Sequence, residues 1–172
     1  HGPFDYILVH GVYSWVPEPV REQILQLCGR LLAEQGIAYV SYNVLPGWRQ
    51  RGMLRDMLLH QTRGAAAPAE RLARARDLLN LLAAGLADDP RSQAAGLRGE
   101  VEYLLSARPS YLYHEYLEET NAPELFSDFM ARAGRHGLRY LADAHLHTLF
   151  GATLTPAARA VRADRMTEQE GY

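Results

Sequence analysis

Two short runs of β-forming residues, separated by one amphipathic helix, constrain this chain more than any other feature. Phe4-Asp5-Tyr6-Ile7-Leu8-Val9-His10 is mostly apolar, the texture of a strand covered on both faces. Gly11 ends it, and Pro17 to Pro19 opens a helix with proline in its first turn. Val20, Ile24, Leu27, Cys28 and Leu31 then fall on one face, and Gly36 reads as the helix cap. Ile37-Ala38-Tyr39-Val40-Ser41-Tyr42 is the second strand. Strands joined through a helix of this length run parallel, so the fold class is α/β, with strands at about 4–10 and 37–42.

Downstream the texture becomes helical. Asn43 to Trp48 reads as a turn around Pro46-Gly47, and Met53, Leu54, Met57 and Leu58 mark the next apolar face. Gly64-Ala65-Ala66-Ala67-Pro68 is a small-residue linker. Leu72, Ala75, Leu79, Leu82 and Leu86 mark one amphipathic helix, stopped by Asp88-Asp89-Pro90; Ala94, Leu97, Val101, Leu104 and Leu105 mark another, ending before Pro109. Tyr111 to Leu117 fits a short helix or a strand. Asn121 and Glu124 look like a capping box for a helix over 122–135, and Leu138 to Ala142 reads as one more strand with Leu141 turned into the sheet. The leucine stripes of the two central helices either pack on each other or cover a second copy; a homodimer is expected.

Composition excludes several classes. No apolar run approaches the roughly 18 residues of a membrane span, and nothing at the N-terminus reads as a signal peptide. Cys28 is the single cysteine, on an apolar helical face, so an internal disulfide is impossible and an inert buried thiol in a reduced, cytoplasmic setting is expected. All 18 basic residues are arginine, which removes lysine Schiff-base and P-loop lysine chemistry. With 20 acidic residues there is no basic excess for nucleic acid, and Arg71, Arg74 and Arg76 read as a solvated helix face.

Other constellations are weak. Asp143, His145 and His147 alternate with His136 nearby, a spacing able to ligate zinc, but four ligands are not in sight and no metal is expected. His114-Glu115 begins like a metalloprotease helix, yet Glu118 stands where a second histidine is needed. Ser14 lies in Gly-Val-Tyr-Ser-Trp, not in a hydrolase elbow.

The run from Phe4 through His10-Gly11-Val12-Tyr13-Ser14-Trp15 resembles the fourth strand and substrate loop of a class I S-adenosylmethionine-dependent methyltransferase. Leu31 to Asn43 resembles the helix end and fifth strand of that fold. His-Gly-Val-Tyr-Ser-Trp, Tyr-Asn with Pro-Gly-Trp, and His114-Glu115-Tyr116-Leu117-Glu118 are similar to bacterial methyltransferases carrying a methyltransferase regulatory domain, a group that includes lysine methyltransferases of rickettsial outer-membrane proteins. The resemblance implies a partial Rossmann-like sheet. Residues 1–62 would be the C-terminal part of the methyltransferase core and 63–172 a helical regulatory unit, or 63–120 an insertion with 121–148 rejoining the core. The strand 138–142 would then return beside Ile37–Tyr42. The family's glycine-rich loop and ribose-binding acid are not in this sequence, so the chain is expected to be a piece of a longer enzyme that binds S-adenosylmethionine weakly and is inactive alone.

Ligands of open α/β sheets sit outside the carboxyl ends of the strands. The resemblance therefore implies cofactor contacts at His10 and Gly11, a substrate channel walled by Tyr13, Trp15, Tyr42 and Trp48, and catalytic roles for Tyr13 and Asn43 in orienting an amine. The acceptor would be a protein or a small amine. The alternative is a non-catalytic module for dimerisation or protein interaction. Trp15 and Trp48 also read as packing residues over the sheet.

Overall fold

The computed structural model describes residues 2–87, 92–145 and 155–156. Phe4–Val9 forms β1 and Leu32–Val40 forms β2, paired in parallel through Tyr6 with Ile37, Ile7 with Ala38, Leu8 with Tyr39 and Val9 with Val40. Helix α1, Glu18–Leu31, joins them and has Pro19 in its first turn. The β-α-β reading holds, with one correction. Leu32 turns to extended backbone directly after α1, so Gly36 lies inside β2 instead of capping the helix. Pairing slips there: Phe4 lies opposite Leu32, and a Cβ on Gly36 would come within 2.9 Å of the Phe4 carbonyl oxygen.

Past β2 the chain makes a second, smaller parallel pair. Val44–Leu45 is β3 and Glu124–Leu125 is β4, with Val44 opposite Glu124 and Leu45 opposite Leu125. Between them in sequence come α2 (Arg49–Gln61), α3 (Pro68–Leu86), α4 (Ser92–Ser106) and α5 (Pro109–Leu117); α6 (Phe126–Gly134) follows β4. Tyr111 to Leu117 is therefore helical. The chain rejoins the strands at 124–125, not at 138–142. The latter residues form no strand: Gly137 turns the chain at φ +76°, Leu138 bonds back to the Ala133 carbonyl, and Leu141 is 72% exposed.

The two apolar cores are separate. Leu54 and Leu58 of α2, Ala75 and Leu79 of α3, Val101 and Leu104 of α4, and Leu112, Tyr116 and Leu117 of α5 are buried together, so the leucine stripes face one another. The second core gathers Tyr13, Leu25 and Ala133, with Ile24, Val40, Tyr42, Phe129 and Leu138 packed on it. Cys28 is buried, and burial pushes its thiol pKa up.

Arginine carries much of the polar structure. Arg71 and Arg76 are not a solvated face: Arg71 donates to the Leu117 carbonyl at 2.6 Å and to the Tyr113 hydroxyl at 3.2 Å, and Arg76 reaches the carbonyls of Leu105 and Ala107. Arg74 comes nearer to that expectation, paired with Glu70 on the exposed side, and it also donates to the Arg63 carbonyl at 3.2 Å. The buried Arg55 donates to the Glu118 carbonyl, so two guanidiniums satisfy carbonyls at and just past the C-terminal end of α5.

Charge also clasps α6 to α1. Glu22 accepts from Arg132 at 3.1 Å and Arg135 at 3.2 Å, and its other oxygen lies 2.7 Å from His136 Nε2. Beneath this clasp a Cβ on Gly29 would stand 2.2 Å from the His136 carbonyl oxygen, so glycine sets how closely α1 and the end of α6 approach. His136 is thus engaged with a carboxylate. Among the described residues no three His, Cys, Asp or Glu side chains come together as a metal site; His147 lies outside them. Among the described residues no helix is long and apolar enough to cross a membrane.

Candidate functional site

The parallel pair sends both strand ends into one region. β1 runs into His10–Val12 and a single turn of 3-10 helix, Tyr13–Trp15; β2 runs into Ser41–Asn43 and then β3. The Ser41 N–H donates to the Val9 carbonyl, and the Gly11 N–H to Ser41 Oγ at 2.9 Å, so the loops are tied at their roots. Gly11 needs its positive φ of 67° for this turn. His10 is exposed and lies against Tyr39, ring centroids 5.9 Å apart.

One junction, assembled from three stretches of sequence, fixes the next residues. Asn43 donates its backbone N–H to the buried Ser14 Oγ at 2.8 Å, and its side-chain amide to Asn121 Oδ1 at 3.1 Å. Ala122 N–H donates to the Ser14 carbonyl, and Glu124 N–H to the Asn43 carbonyl. Sequence reasoning found Asn43 but missed Ser14, Asn121 and Glu124. The Asn121 and Glu124 pattern was legible only as a helix cap.

Tyr13, Tyr42 and Phe129 form an aromatic stack under this junction. Tyr42 lies flat on Phe129 at 4.3 Å, and Tyr13 meets both edge-on. Tyr13 is fully buried. Its hydroxyl and Glu124 Oε1 are both buried without a hydrogen-bond partner, and Arg21 and Arg132 flank Glu124 at 3.6 and 3.7 Å. Burial first, then the Glu124 charge, raises the Tyr13 phenol above the usual tyrosine range; the same causes push Tyr42 up to about 12. Both phenols stay neutral.

Trp15 and Trp48 meet edge-on at 6.4 Å, and each lines a different cleft. Trp15 also lies against His114 of α5 at 4.4 Å, bordering a mostly polar cleft of about 480 Å³ with Arg71, Tyr113, Glu118, Glu119 and Thr120. Trp48 borders an apolar groove of about 540 Å³ with Leu45, Met53, Met57 and Pro123. Arg51 holds Trp48 from above: its guanidinium sits 5.3 Å from the ring centroid and pairs with Glu100, which accepts from Tyr116. The structure therefore brings together Tyr13 with Tyr42 and Trp15 with Trp48, while His10 and Gly11 stay on the exposed rim.

A parallel α/β pair, an aromatic strand-end loop and an appended helical unit define the class. Residues 108–170 match a family described as the predicted methyltransferase regulatory domain, the family that the motifs implied. The likeness extends to particular proteins. The structure of PKMT2 from Rickettsia typhi is 39% identical, with 83% of this chain and 26% of that chain covered and a TM-score of 0.72. PKMT2 in complex with AdoHcy gives 36% identity, 93% and 30% coverage, and a TM-score of 0.80. Two uncharacterized proteins of Rickettsia prowazekii (strain Madrid E) are also similar: RP789 is 41% identical over 90% of this chain and 28% of its own length, and RP028 is 35% identical over 82% and 56%. The chain thus spans between about a quarter and just over half of these relatives.

Proposed function

We propose that this chain supplies the acceptor side of an S-adenosylmethionine-dependent methyltransferase acting on amines of a protein substrate. The observation that carries the reading is the match to AdoHcy-bound PKMT2 across 93% of the chain at 36% identity. The carboxyl ends of parallel strands are where such folds bind ligands, and here those ends lead into Tyr13, Trp15 and Tyr42, with Trp48 just past β3.

When bound, the cofactor supplies an electrophilic methyl group. His10 and Gly11 fit one edge of it: both are exposed, and nothing lies within 4 Å of where a Gly11 side chain would begin. Trp15, half-buried at the strand-end loop, presents aromatic surface to an incoming ammonium, which is attracted to it before it loses a proton, while Trp48, buried under the Arg51 guanidinium, backs it edge-on. Tyr13 and Tyr42 pack with Phe129 beneath the loop as neutral rings, and Asn43, tied to Ser14 and Asn121, orients the amine. The strands with α1 and α6 make up the core part, and α2 to α5 form the helical unit inserted between β3 and β4, with Leu54 and Leu58 of α2 packed into it. The enzyme works in the bacterial cytoplasm.

The test is transfer of an isotopically labelled methyl group from S-adenosylmethionine by the full-length protein. Trp15→Ala is expected to slow transfer to protein by about ten-fold or more, the worth of one desolvated cation–aromatic contact. No transfer to any amine overturns the reading.

A second role expected from the sequence is that the helical part joins two copies, although the leucine stripes of α3 and α4 are buried against each other. Light scattering reads it directly, since the monomer mass is 19.3 kDa.

A further inference from the structure

Glu124 is a buried carboxylate where a two-residue strand needs none. Its N–H donates to the Asn43 carbonyl at 3.1 Å and Val44 lies opposite it, so the backbone alone completes the β3–β4 pair. Its side chain is 9% exposed, with Oε2 between Arg21 of α1 at 3.6 Å and Arg132 of α6 at 3.7 Å. A carboxylate taken out of water is costly unless it is paired, and these two guanidiniums balance it. Closing α6 on α1 does not require it: Arg132 already reaches Glu18 at 3.3 Å and Glu22 at 3.1 Å.

The other oxygen, Oε1, accepts no hydrogen bond, and the Tyr13 hydroxyl makes none. Among the buried side-chain atoms of the described residues that lack a partner, Glu124 Oε1 is the one that can only accept; the rest are nitrogen donors and this phenol. Arg21 and Arg132 already meet the carboxylate at Oε2, which leaves Oε1 to the phenol. Burial first, and then the Glu124 charge, raises the Tyr13 pKa, so the two groups share one enclosed space. Buried hydroxyls are bonded in nearly all folded proteins. Phenylalanine would serve the edge-on packing with Tyr42 and Phe129 equally well, so the hydroxyl has another use.

We propose that the Tyr13 hydroxyl donates to Glu124 Oε1, and that Glu124 is thereby a positioning residue for the loop that presents Trp15. The proposal rests on the methyltransferase reading and adds a means of regulating it. Tyr13, Ser14 and Trp15 form one turn of 3-10 helix. Ser14 is tied to Asn43 and Ala122, which fixes where that turn lies. A bond on Tyr13 fixes its rotation about the tie, and with it the direction in which Trp15 meets the amine. Asn121, Ala122, Glu124 and Arg132 all fall within residues 108–170. The segment matched to a regulatory domain therefore grips the acceptor loop, and its placement sets the rate of transfer.

Tyr13→Phe removes the hydroxyl and keeps the ring. The chain has two tryptophans, so its ¹⁵N spectrum carries two indole N–H signals, assigned by Trp15→Phe. Tyr13→Phe is expected to move the Trp15 signal and lower Tm while the circular dichroism stays native. Loss of a hydroxyl that bonds nothing would leave Trp15 unmoved and Tm unchanged or raised, which overturns the proposal. Glu124→Gln keeps the shape but removes the charge that strengthens the bond, and should move the same signal. Tyr13→Phe added to Glu124→Gln should then move Trp15 less than it does in the native chain; additive shifts overturn the coupling. In the full-length protein Tyr13→Phe should lower kcat for methyl transfer about ten-fold with KM for S-adenosylmethionine unchanged, and an unchanged kcat overturns the positioning role. A full-length protein that transfers no methyl group overturns the methyltransferase reading instead, and leaves the coupling of Tyr13 and Glu124 in the spectrum standing.

Discussion

Ser14 and Asn43 lie 29 positions apart, yet the Asn43 N–H donates to Ser14 Oγ at 2.8 Å in a part-buried site. That bond joins the loop after β1 to the loop after β2, and Asn121 and Ala122 close onto the same pair.

Ser14→Ala tests it. The substitution leaves the Asn43 N–H without a partner, at a cost of about 1–3 kcal/mol. In a chain of this size that lowers Tm by roughly 2–4 °C per kcal/mol. Calorimetry showing an unchanged Tm would mean that the junction does not hold the loops.

Gly29→Ala sets two effects against each other. Alanine favours a helix interior by about 1 kcal/mol over glycine, but here its Cβ would lie 2.2 Å from the His136 carbonyl oxygen. Backbone must move, and overpacking costs about 1–3 kcal/mol. The variant should be less stable in urea; a more stable one refutes the close approach of α1 and α6.

Acid should loosen the α1–α6 clasp. The Glu22 pKa is lowered, first by its hydrogen bond to His136 and then by Arg132 and Arg135. A carboxyl depressed in the folded state stabilises the fold above its unfolded value of 4.5, and that contribution disappears as pH falls through the folded value. Tm curves of the native chain and Glu22→Gln should therefore differ near neutrality and converge in acid. Curves that run parallel throughout would contradict the assignment.

S-adenosylmethionine should bind this chain weakly or not at all. In the proposed reading His10 and Gly11 would form only one edge of a site, while the sequence holds no glycine-rich loop between strand and helix and no ribose-binding acid after it. Isothermal titration giving micromolar affinity would sink this expectation.

Leu79 and Leu141 should part company. Leu79 is fully buried in the four-helix core, so Leu79→Ala should cost about 2–5 kcal/mol. Leu141 is 72% exposed, so Leu141→Asp should stay within about 0.5 kcal/mol. Unfolding by Leu141→Asp would restore 138–142 to a sheet.

What could be read from the sequence was local. The apolar runs of β1 and β2, the one-sided helix between them, and the leucine periods of α3 and α4 each repeat at the spacing of their own backbone, so the elements and the parallel pairing were legible without neighbours. His10–Trp15 and Tyr42–Trp48 were found because strand ends can be located once strands are. Tertiary structure alone decided the rest. β3 and β4 are two residues each, too short to show any period, and exist only because Asn43 and Glu124 meet across 81 positions. Whether Arg71 faced water or the end of α5, whether Gly36 capped a helix or lay in a strand, and whether Leu141 was covered depended on what packed against them. The buried Glu124 between Arg21, Arg132 and Tyr13 has no signature in sequence, because a carboxylate becomes a site only when its surroundings remove the water.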